Sequence, residues 1–225
     1  MSNCLTQARF IQKQTSTSLV TASTDGYFTF WNLTSTIEPF YEQTSSASLS
    51  LKQPISISGP TEPAIISCES RYQIHSNSVK SLELAHLSDT TSLVIAGGDD
   101  NALTLSLLDT TARPDSDLHM EGSAHVQVHT ISIPDAHAAS VTTVKIVEQS
   151  GSLFTVASSG NDYRVKIWSV KVDATKRETD AISIRSTVDY YSPVADISSL
   201  DVIHSAGSEL KLIICGVGME LVRVR

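Results

Sequence analysis

The stretch Leu153–Trp168, LFTVASSGNDYRVKIW, decides the fold class of this chain. Two runs of apolar and β-branched residues flank a short polar segment, which is the pattern of two strands joined by a tight turn. The same arrangement returns in Leu93–Ser106, LVIAGGDDNALTLS, and in Leu19–Trp31, LVTASTDGYFTFW. Recurrence of this kind, without a long stripe of helical period, predicts an all-β chain built from repeated units.

Polar residues occupy matched positions in these stretches. Each turn contains an Asp, and the residue six positions later is Trp in two stretches and Ser in the third. These pairs are Asp25 and Trp31, Asp100 and Ser106, and Asp162 and Trp168. A His stands twenty-five residues before the Asp in two units, as His75 and His137. Two matches over that distance indicate a genuine repeat.

These residues resemble the repeat of WD-repeat β-propellers, whose units of about 40–45 residues carry a GH near the start and a WD near the end. Neither dipeptide is intact here, since the His residues follow Ile74 and Ala136 and the Trp residues precede Asn32 and Ser169. The resemblance predicts an incomplete propeller of about three and a half four-stranded blades. It also implies that His75 pairs with Asp100, and His137 with Asp162, as buried structural hydrogen bonds.

The repeat divides the chain into one region of partial and complete units. We predict a partial blade at 1–36, a loop at 37–54, blades at 55–109 and 112–172, and a degenerate blade at 178–225. In the last unit the segment LIICGVGMELVRV is expected to supply two closing strands. Pro193 replaces the His there and Gly218 lies near the turn position, so that unit is expected to lack the polar set.

The first unit differs from the others at its start. Twenty-five residues before Asp25 is position zero, so we expect this blade to lack both its His and its innermost strand. An unclosed ring would expose sheet edges, which pair readily with other chains. The sequence therefore suggests a fragment of a longer protein.

Composition narrows the function classes. A net charge of −8 and a pI near 5.3 disfavour direct binding of nucleic acid, which rests on clustered Lys and Arg. Cys4, Cys68 and Cys215 are odd in number and widely spaced, which predicts neither a disulfide framework nor a zinc site. With no N-terminal apolar region and no stretch of about 20 apolar residues, we expect a cytoplasmic protein.

Catalytic, metal and nucleotide sites are each disfavoured. There is no GxSxG motif, and the His–Asp pairs already have a structural interpretation, so we predict no catalytic residue. Histidines 119, 125, 129 and 137 lie close in sequence without a second ligand type at metal spacing. The pairs Gly97–Gly98 and Gly216–Gly218 precede strands rather than helices, which favours turn glycines with positive φ over a nucleotide-binding loop. We expect no metal and no cofactor.

A cluster of basic residues lies between the last two units. Its members are Lys166, Lys171, Lys176, Arg177 and Arg185. A solvated loop is the favoured interpretation, and an RNA-contacting patch is the alternative.

A finer resemblance covers about residues 75–225. The segments IAGGDDNALTL, HAASVTTVKI, VADISSLDVI and LIICGVGMEL resemble the C-terminal region of the WD repeat-containing protein 6 group, in a fungal version. That group partners a tRNA ribose 2′-O-methyltransferase, so the resemblance implies a non-catalytic scaffold that helps to modify wobble nucleotide 34. The tRNA would be reached through the complex, without a membrane. The alternative is a scaffold for vesicle trafficking or for ubiquitin-ligase substrate recruitment.

Overall fold

A computed structural model of the chain describes residues 3–13, 16–36, 66, 68, 70–110, 126–173, 176, 180–204 and 210–224. Antiparallel sheets dominate these residues. Sheet 1 contains β1 (Leu5–Gln12), β2 (Thr17–Ser23), β3 (Tyr27–Asn32) and β4 (Ser70–Gln73). Sheet 2 contains β5 (Val79–His86), β6 (Thr91–Gly98), β7 (Leu103–Asp109) and β8 (Gln127–Ile133). Sheet 3 contains β9 (Val141–Ser150), β10 (Leu153–Gly160), β11 (Arg164–Val172) and β12 (Ile182–Tyr191), and sheet 4 pairs β13 (Ala195–His204) with β14 (Leu210–Val224).

Apolar side chains fill the space between each sheet and the next. Phe28 of sheet 1 packs in one cluster with Leu82 of sheet 2. Phe154 of sheet 3 shares a second cluster with Leu105 of sheet 2, and a third cluster joins sheets 3 and 4 around Ile214. The sheets therefore stack face to face in chain order, as blades do.

The first strands of the four sheets lie side by side around a polar groove. Ion pairs connect them in series: Arg9 of β1 lies 3.8 Å from Glu83 of β5, and Lys145 of β9 lies 3.5 Å from the same carboxylate. Lys145 also lies 3.1 Å from Asp201 of β13. The sheets thus extend outward from a shared inner edge, and the fold is an all-β, incomplete β-propeller.

The expected loss of the innermost strand from sheet 1 is wrong. β1 pairs along its length with β2, with Phe10 opposite Leu19. In sheets 2 and 3 the inner strand begins four residues after His75 and His137. The same offset from position zero leaves room for a strand from Leu5 onward, so sheet 1 has its inner strand.

Sheet boundaries do not coincide with the predicted unit boundaries. β4 lies at the start of the unit predicted at 55–109, yet it pairs with β3 of the preceding unit. β8 and β12 do the same with β7 and β11. Each unit therefore contributes its first strand to the previous sheet, which joins consecutive sheets covalently. The loop predicted at 37–54 lies outside the described residues.

Strand β14 turns back on itself at Gly218, which has φ 116°. Leu212 and Ile214 lie before this residue, Val222 and Val224 lie after it, and all four line one cavity of about 170 Å³ beside sheet 3. An uninterrupted strand would separate Leu212 from Val222 by about 33 Å. The two halves of β14 therefore run side by side.

Among the described residues, no helix is long and apolar enough to cross a membrane.

Candidate functional site

Sheet 3 contains a continuous row of hydrogen-bonded side chains. His137, in the connection before β9, places Nδ1 3.0 Å from Asp162 Oδ1 and Nε2 2.8 Å from Ser158 Oγ. The indole Nε1 of Trp168 donates to the same Ser158 oxygen at 2.8 Å. Asp162 also accepts the backbone N–H of Ala138 at 2.9 Å. The row fixes the β10–β11 turn against the connection that precedes β9.

The donor and acceptor properties of these groups determine which atoms carry the protons. Trp168 can only donate and ionised Asp162 can only accept, so a neutral His137 with its proton on Nδ1 satisfies every group, while Ser158 donates to Nε2. Burial is the main cause that lowers the pKa of His137, against the opposing effect of Asp162. Burial alone would raise the pKa of Asp162, but the Ala138 N–H and His137 together lower it. A neutral imidazole therefore faces an ionised carboxylate.

Ser158, His137 and Asp162 are hydrogen-bonded in the same order as the Ser–His–Asp triad of a hydrolase. Ser158 is 0% exposed and His137 is 1% exposed. The Ser158 oxygen is already engaged by both His137 and Trp168, and a nucleophile must instead reach its substrate. Burial of this serine favours a structural role for the network.

Sheet 2 repeats the His–Asp contact with a different second partner. His75 Nδ1 lies 2.8 Å from Asp100 Oδ1. Its Nε2 lies 3.1 Å from Thr104 Oγ1 of β7. The change follows from the sequence, because Ala96 stands four residues before Asp100, where sheet 3 has Ser158. The buried imidazole thus finds a hydroxyl group on the neighbouring strand.

The Trp position of sheet 2 also holds a different residue, with a different hydrogen-bond partner. Ser106 replaces the Trp, and its Oγ lies 2.7 Å from Thr130 Oγ1 of β8. Burial would raise the pKa of Asp100, but the N–H of Ser76 and the adjacent His75 together lower it. The carboxylate in this turn is therefore held ionised, as in sheet 3.

Among the described residues, the turn of sheet 1 is held by groups other than a histidine. Asp25 accepts a hydrogen bond from Ser23 Oγ at 2.5 Å and forms an ion pair with Arg71 of β4. Burial would raise the pKa of Asp25, but the hydrogen bond from Ser23 and the charge of Arg71 contribute to lowering it. Trp31 donates to Thr21 Oγ1 at 2.9 Å, which keeps the indole–hydroxyl half of the network.

The residue two positions before the Asp determines whether a histidine fits. In sheets 2 and 3 this residue is Gly98 or Gly160, and an added Cβ would lie 2.4 Å from Nδ1 of His75 or 2.8 Å from Nδ1 of His137. Sheet 1 has Ser23 there instead, and its hydroxyl bonds to the turn Asp. The glycine and the histidine therefore occur together for a steric reason.

The residue after the turn Asp has a left-handed backbone in sheets 1 to 3, and its carbonyl accepts an N–H from the connection to the next sheet. The three bonds run from His75 to Gly26 (φ 85°) at 3.0 Å, from His137 to Asn101 (φ 65°) at 3.2 Å, and from Ser192 to Tyr163 (φ 61°) at 2.8 Å. This backbone link between blades recurs with three different residue types, Gly, Asn and Tyr, at the left-handed position.

Sheet 4 has a polar group of a different kind from the His–Asp set. Pro193 stands at the histidine position and cannot supply a side-chain donor. Glu220 instead accepts hydrogen bonds from Tyr190 Oη at 2.5 Å and from Ser192 Oγ at 2.7 Å. A carboxylate beyond the bend of β14 thus anchors the end of sheet 3 to sheet 4.

The ion-pair row along the inner strands was not identified from the sequence. Glu83, Lys145 and Asp201 each lie eight residues after the histidine position of their unit, and their charges alternate. Burial would lower the pKa of Lys145, but Glu83 and Asp201 together raise it. Comparing charge at this offset across the repeats would have revealed the row.

The glycine motifs are explained differently from the prediction. Gly97 and Gly98 lie within β6 and are not among the residues with positive φ. A Cβ on Gly97 would meet Val141 Cγ1 of sheet 3 at 2.5 Å, so close packing requires glycine there. The expectation of positive φ was wrong for this pair, whereas Gly218 does adopt it.

The structure describes only part of the two other candidate clusters, the histidines and the basic residues. His119, His125 and Arg177 lie outside the described residues, and the described part of the chain contains no group of three potential metal ligands. Lys166 points inward, where Nζ donates to the Ala136 carbonyl at 2.7 Å. Lys171 lies at the end of β11 away from the turn, opposite Ser183. Arg185 of β12 lies opposite Ser169, two residues from Lys171, so these two basic residues are on adjacent strands.

Comparison with known proteins supports the repeat. Residues 126–169 match the family model described as WD domain, G-beta repeat, and this segment contains the whole network of sheet 3. The chain is similar to Raptor of Chaetomium thermophilum, whose crystal structure shares 13% sequence identity and a TM-score of 0.49. That match covers 99% of this chain and 17% of Raptor. No curated protein sequence matches the chain.

Proposed function

We propose that this protein is a non-catalytic scaffold that binds a tRNA ribose 2′-O-methyltransferase and supports modification of wobble nucleotide 34. The observation that carries the proposal is the sequence resemblance over residues 75–225, with the unusual last unit. The catalytic residues and the methyl donor would belong to the partner, and the complex would act in the cytoplasm.

The structure favours recognition over chemistry in this part of the chain. The Ser158–His137 pair of sheet 3 and the Thr104–His75 pair of sheet 2, which could suggest catalysis, are buried and hydrogen-bonded within the blades. A rigid propeller presents its turns and strand edges to partners, and proteins with WD repeats generally work in this way.

The test is mass-spectrometric quantification of the 2′-O-methyl group at nucleotide 34 in tRNA from cells with and without the full-length gene. We expect the mark to fall while tRNA abundance stays constant, and re-expression should restore it. An unchanged mark would refute the methyltransferase partnership and leave a scaffold for trafficking or ubiquitin-ligase recruitment as the next hypothesis.

A further inference from the structure

Consecutive sheets of this chain pack through a row of side chains that lie opposite one another on neighbouring strands. In sheet 3 the row contains Ile146, Val156 and Trp168, which pack in the cluster shared with sheet 2. In sheet 2 it contains Leu84 and Val94, which pack in the cluster shared with sheet 1. Each row therefore forms the contact between its own sheet and the preceding one.

Sheet 1 has the same row. Phe10, Leu19 and Trp31 lie opposite one another on β1, β2 and β3, and the last two have the same offsets from the turn Asp as Val156 and Trp168. None of the three belongs to a cluster shared between described sheets. Phe10 is 62% exposed, and Leu19 and Trp31 are half-buried. We call these three residues the sheet 1 face.

Sheet 4 is open on the side away from sheet 3. Leu212 and Ile214 of β14 pack against sheet 3. Because neighbouring residues of a strand point to opposite faces, Ile213 between them points away from sheet 3. Asp201 of β13 lies opposite Ile213, and Ile203, two residues further, shares this side and is 43% exposed. We call Asp201, Ile203 and Ile213 the sheet 4 face.

The row of ion pairs on the inner strands has a direction. Its first three members each lie opposite a residue that packs against the following sheet: Arg9 opposite Val20, Glu83 opposite Ile95, and Lys145 opposite Ala157. Each charge is therefore on the side of its strand that faces the following sheet, where it meets the next charge. Asp201, the fourth member, is on the open side of sheet 4.

The two ends of this row have opposite charges. Among the ion pairs of the described residues, Glu83 and Lys145 each have two partners, whereas Arg9 and Asp201 each have one. Asp201 receives Lys145 and a backbone N–H on the same oxygen, Oδ1, and its side chain is 66% exposed. Arg9 Nη1 donates to two oxygens within β1, and its side chain is 36% exposed. The alternation would continue with a cation beyond Asp201 and an anion before Arg9.

We propose that two copies of this chain associate head to tail, with the sheet 4 face of one copy packed on the sheet 1 face of the other and Asp201 paired with the partner's Arg9. The contact continues the sheet-to-sheet interface within the chain. One copy supplies both apolar faces and both terminal charges, so a second copy is complementary at each end. Two such contacts close a ring, which stops further growth. This association does not depend on the proposed function.

The first experiment measures the mass of the purified full-length protein by sedimentation equilibrium over a range of concentrations. We expect twice the mass of one chain. Phe10→Ser and Ile203→Ser each remove an apolar group from the contact and should raise the dissociation constant about tenfold or more. Leu153→Ser changes a residue of sheet 3 that is 48% exposed and outside both faces, so this variant should dimerise like the wild type.

Circular dichroism separates association from folding. All three substituted residues are exposed, so each variant should keep the spectrum of the wild type. A wild-type protein that stays monomeric would overturn the inference, and further sheets of a longer chain would then be the next candidates to cover the two faces. A dimer that both Phe10→Ser and Ile203→Ser leave unchanged would also overturn it.

Cross-linking tests the ion pair between copies. In an Arg9→Lys variant, a carbodiimide should couple the new amine to the Asp201 carboxylate of the other copy. Mixing copies labelled with light and heavy nitrogen distinguishes the two kinds of coupling, because only coupling between copies gives peptides of mixed isotope content. We expect mixed products that join positions 9 and 201. Products of a single isotope alone would show closure within one chain, and they would overturn the inference, as would the absence of this product.

Discussion

Sheets 3 and 1 hold the same turn by different means. In sheet 3 the turn Asp162 is bonded to a buried histidine that connects to Ser158 and Trp168. In sheet 1 the turn Asp25 depends on Ser23 and on Arg71, whose side chain is 47% exposed. The turn therefore requires donors to a carboxylate, and the kind of donor can change between repeats.

The difference predicts unequal contributions to stability. A buried network leaves unsatisfied groups when one member is removed, at a cost of about 1–3 kcal/mol for each. An ion pair at the surface contributes about 0–1 kcal/mol. Sheet 3 should therefore be the more sensitive of the two sheets to changes at its repeat positions.

Removal of the histidine should have the largest effect. We expect His137→Ala to lower the free energy of unfolding by about 3 kcal/mol, because Asp162 and Ser158 both lose a buried partner. Arg71→Ala should cost under about 1 kcal/mol. Urea denaturation of the two variants compares these values directly. Equal losses would show that the buried network adds nothing beyond an exposed ion pair.

Substitutions two residues before the turn Asp should give the next largest difference in stability loss between sheets 3 and 1. Gly160→Ala should cost about 2 kcal/mol, since the new Cβ would lie 2.8 Å from both His137 Nδ1 and Asp162 Oδ1. The matching change in sheet 1, Ser23→Ala, removes one hydrogen bond and should cost about 1 kcal/mol. Both losses can be measured from the shift of the urea midpoint, provided that the dependence of the unfolding free energy on urea concentration is unchanged. A Gly160→Ala protein as stable as the wild type would contradict the steric coupling of glycine and histidine.

Removal of the indole N–H donors should give a smaller difference in stability loss between sheets 3 and 1. Trp168→Phe keeps most of the apolar volume but removes the N–H bonded to Ser158, so we expect a loss of about 1 kcal/mol. Trp31→Phe should cost less, because Trp31 is only half-buried beside Thr21. Thermal unfolding of the pair is the measurement. A larger loss in sheet 1 would reverse the proposed order of the two networks.

The smallest expected effect is on how the free energy of unfolding changes with pH. Because the pKa of His137 lies below its ordinary value of 6.5, the unfolded chain takes up this proton first and stability should decline as pH falls below 6.5. The contribution of Asp162 persists above its ordinary pKa of 3.8 and is lost as pH falls through its lower folded value. His137→Gln should lose the first decline, and an unchanged profile would contradict the neutral assignment.

The sequence was sufficient for the all-β, propeller-type fold because strand pairs and turn residues recur at fixed offsets. The resemblance to WD repeats implied that His75 would pair with Asp100 and His137 with Asp162. Substituted partners were harder to foresee, since Thr104 lies on a different strand from Ser158 and Arg71 is 46 residues from Asp25 along the chain. The inner strand of sheet 1 was not predicted, because its start at Leu5 has no preceding histidine in the sequence to mark it.

The contact between the rings of Tyr163 and Tyr191 could not be predicted because it depends on conformation. Nothing in the letters NDYR shows that Tyr163 has a left-handed backbone or that Tyr191 lies beside it. A single sequence does not reveal contacts of this kind.

The proposed function requires that this protein assists chemistry carried out by a partner. Its most direct test is methyl transfer to nucleotide 34 of unmodified tRNA by purified tRNA 2′-O-methyltransferase, with and without the purified full-length protein. We predict faster methylation when both proteins are present and none with the scaffold alone. Equal rates with and without this protein would contradict the claim.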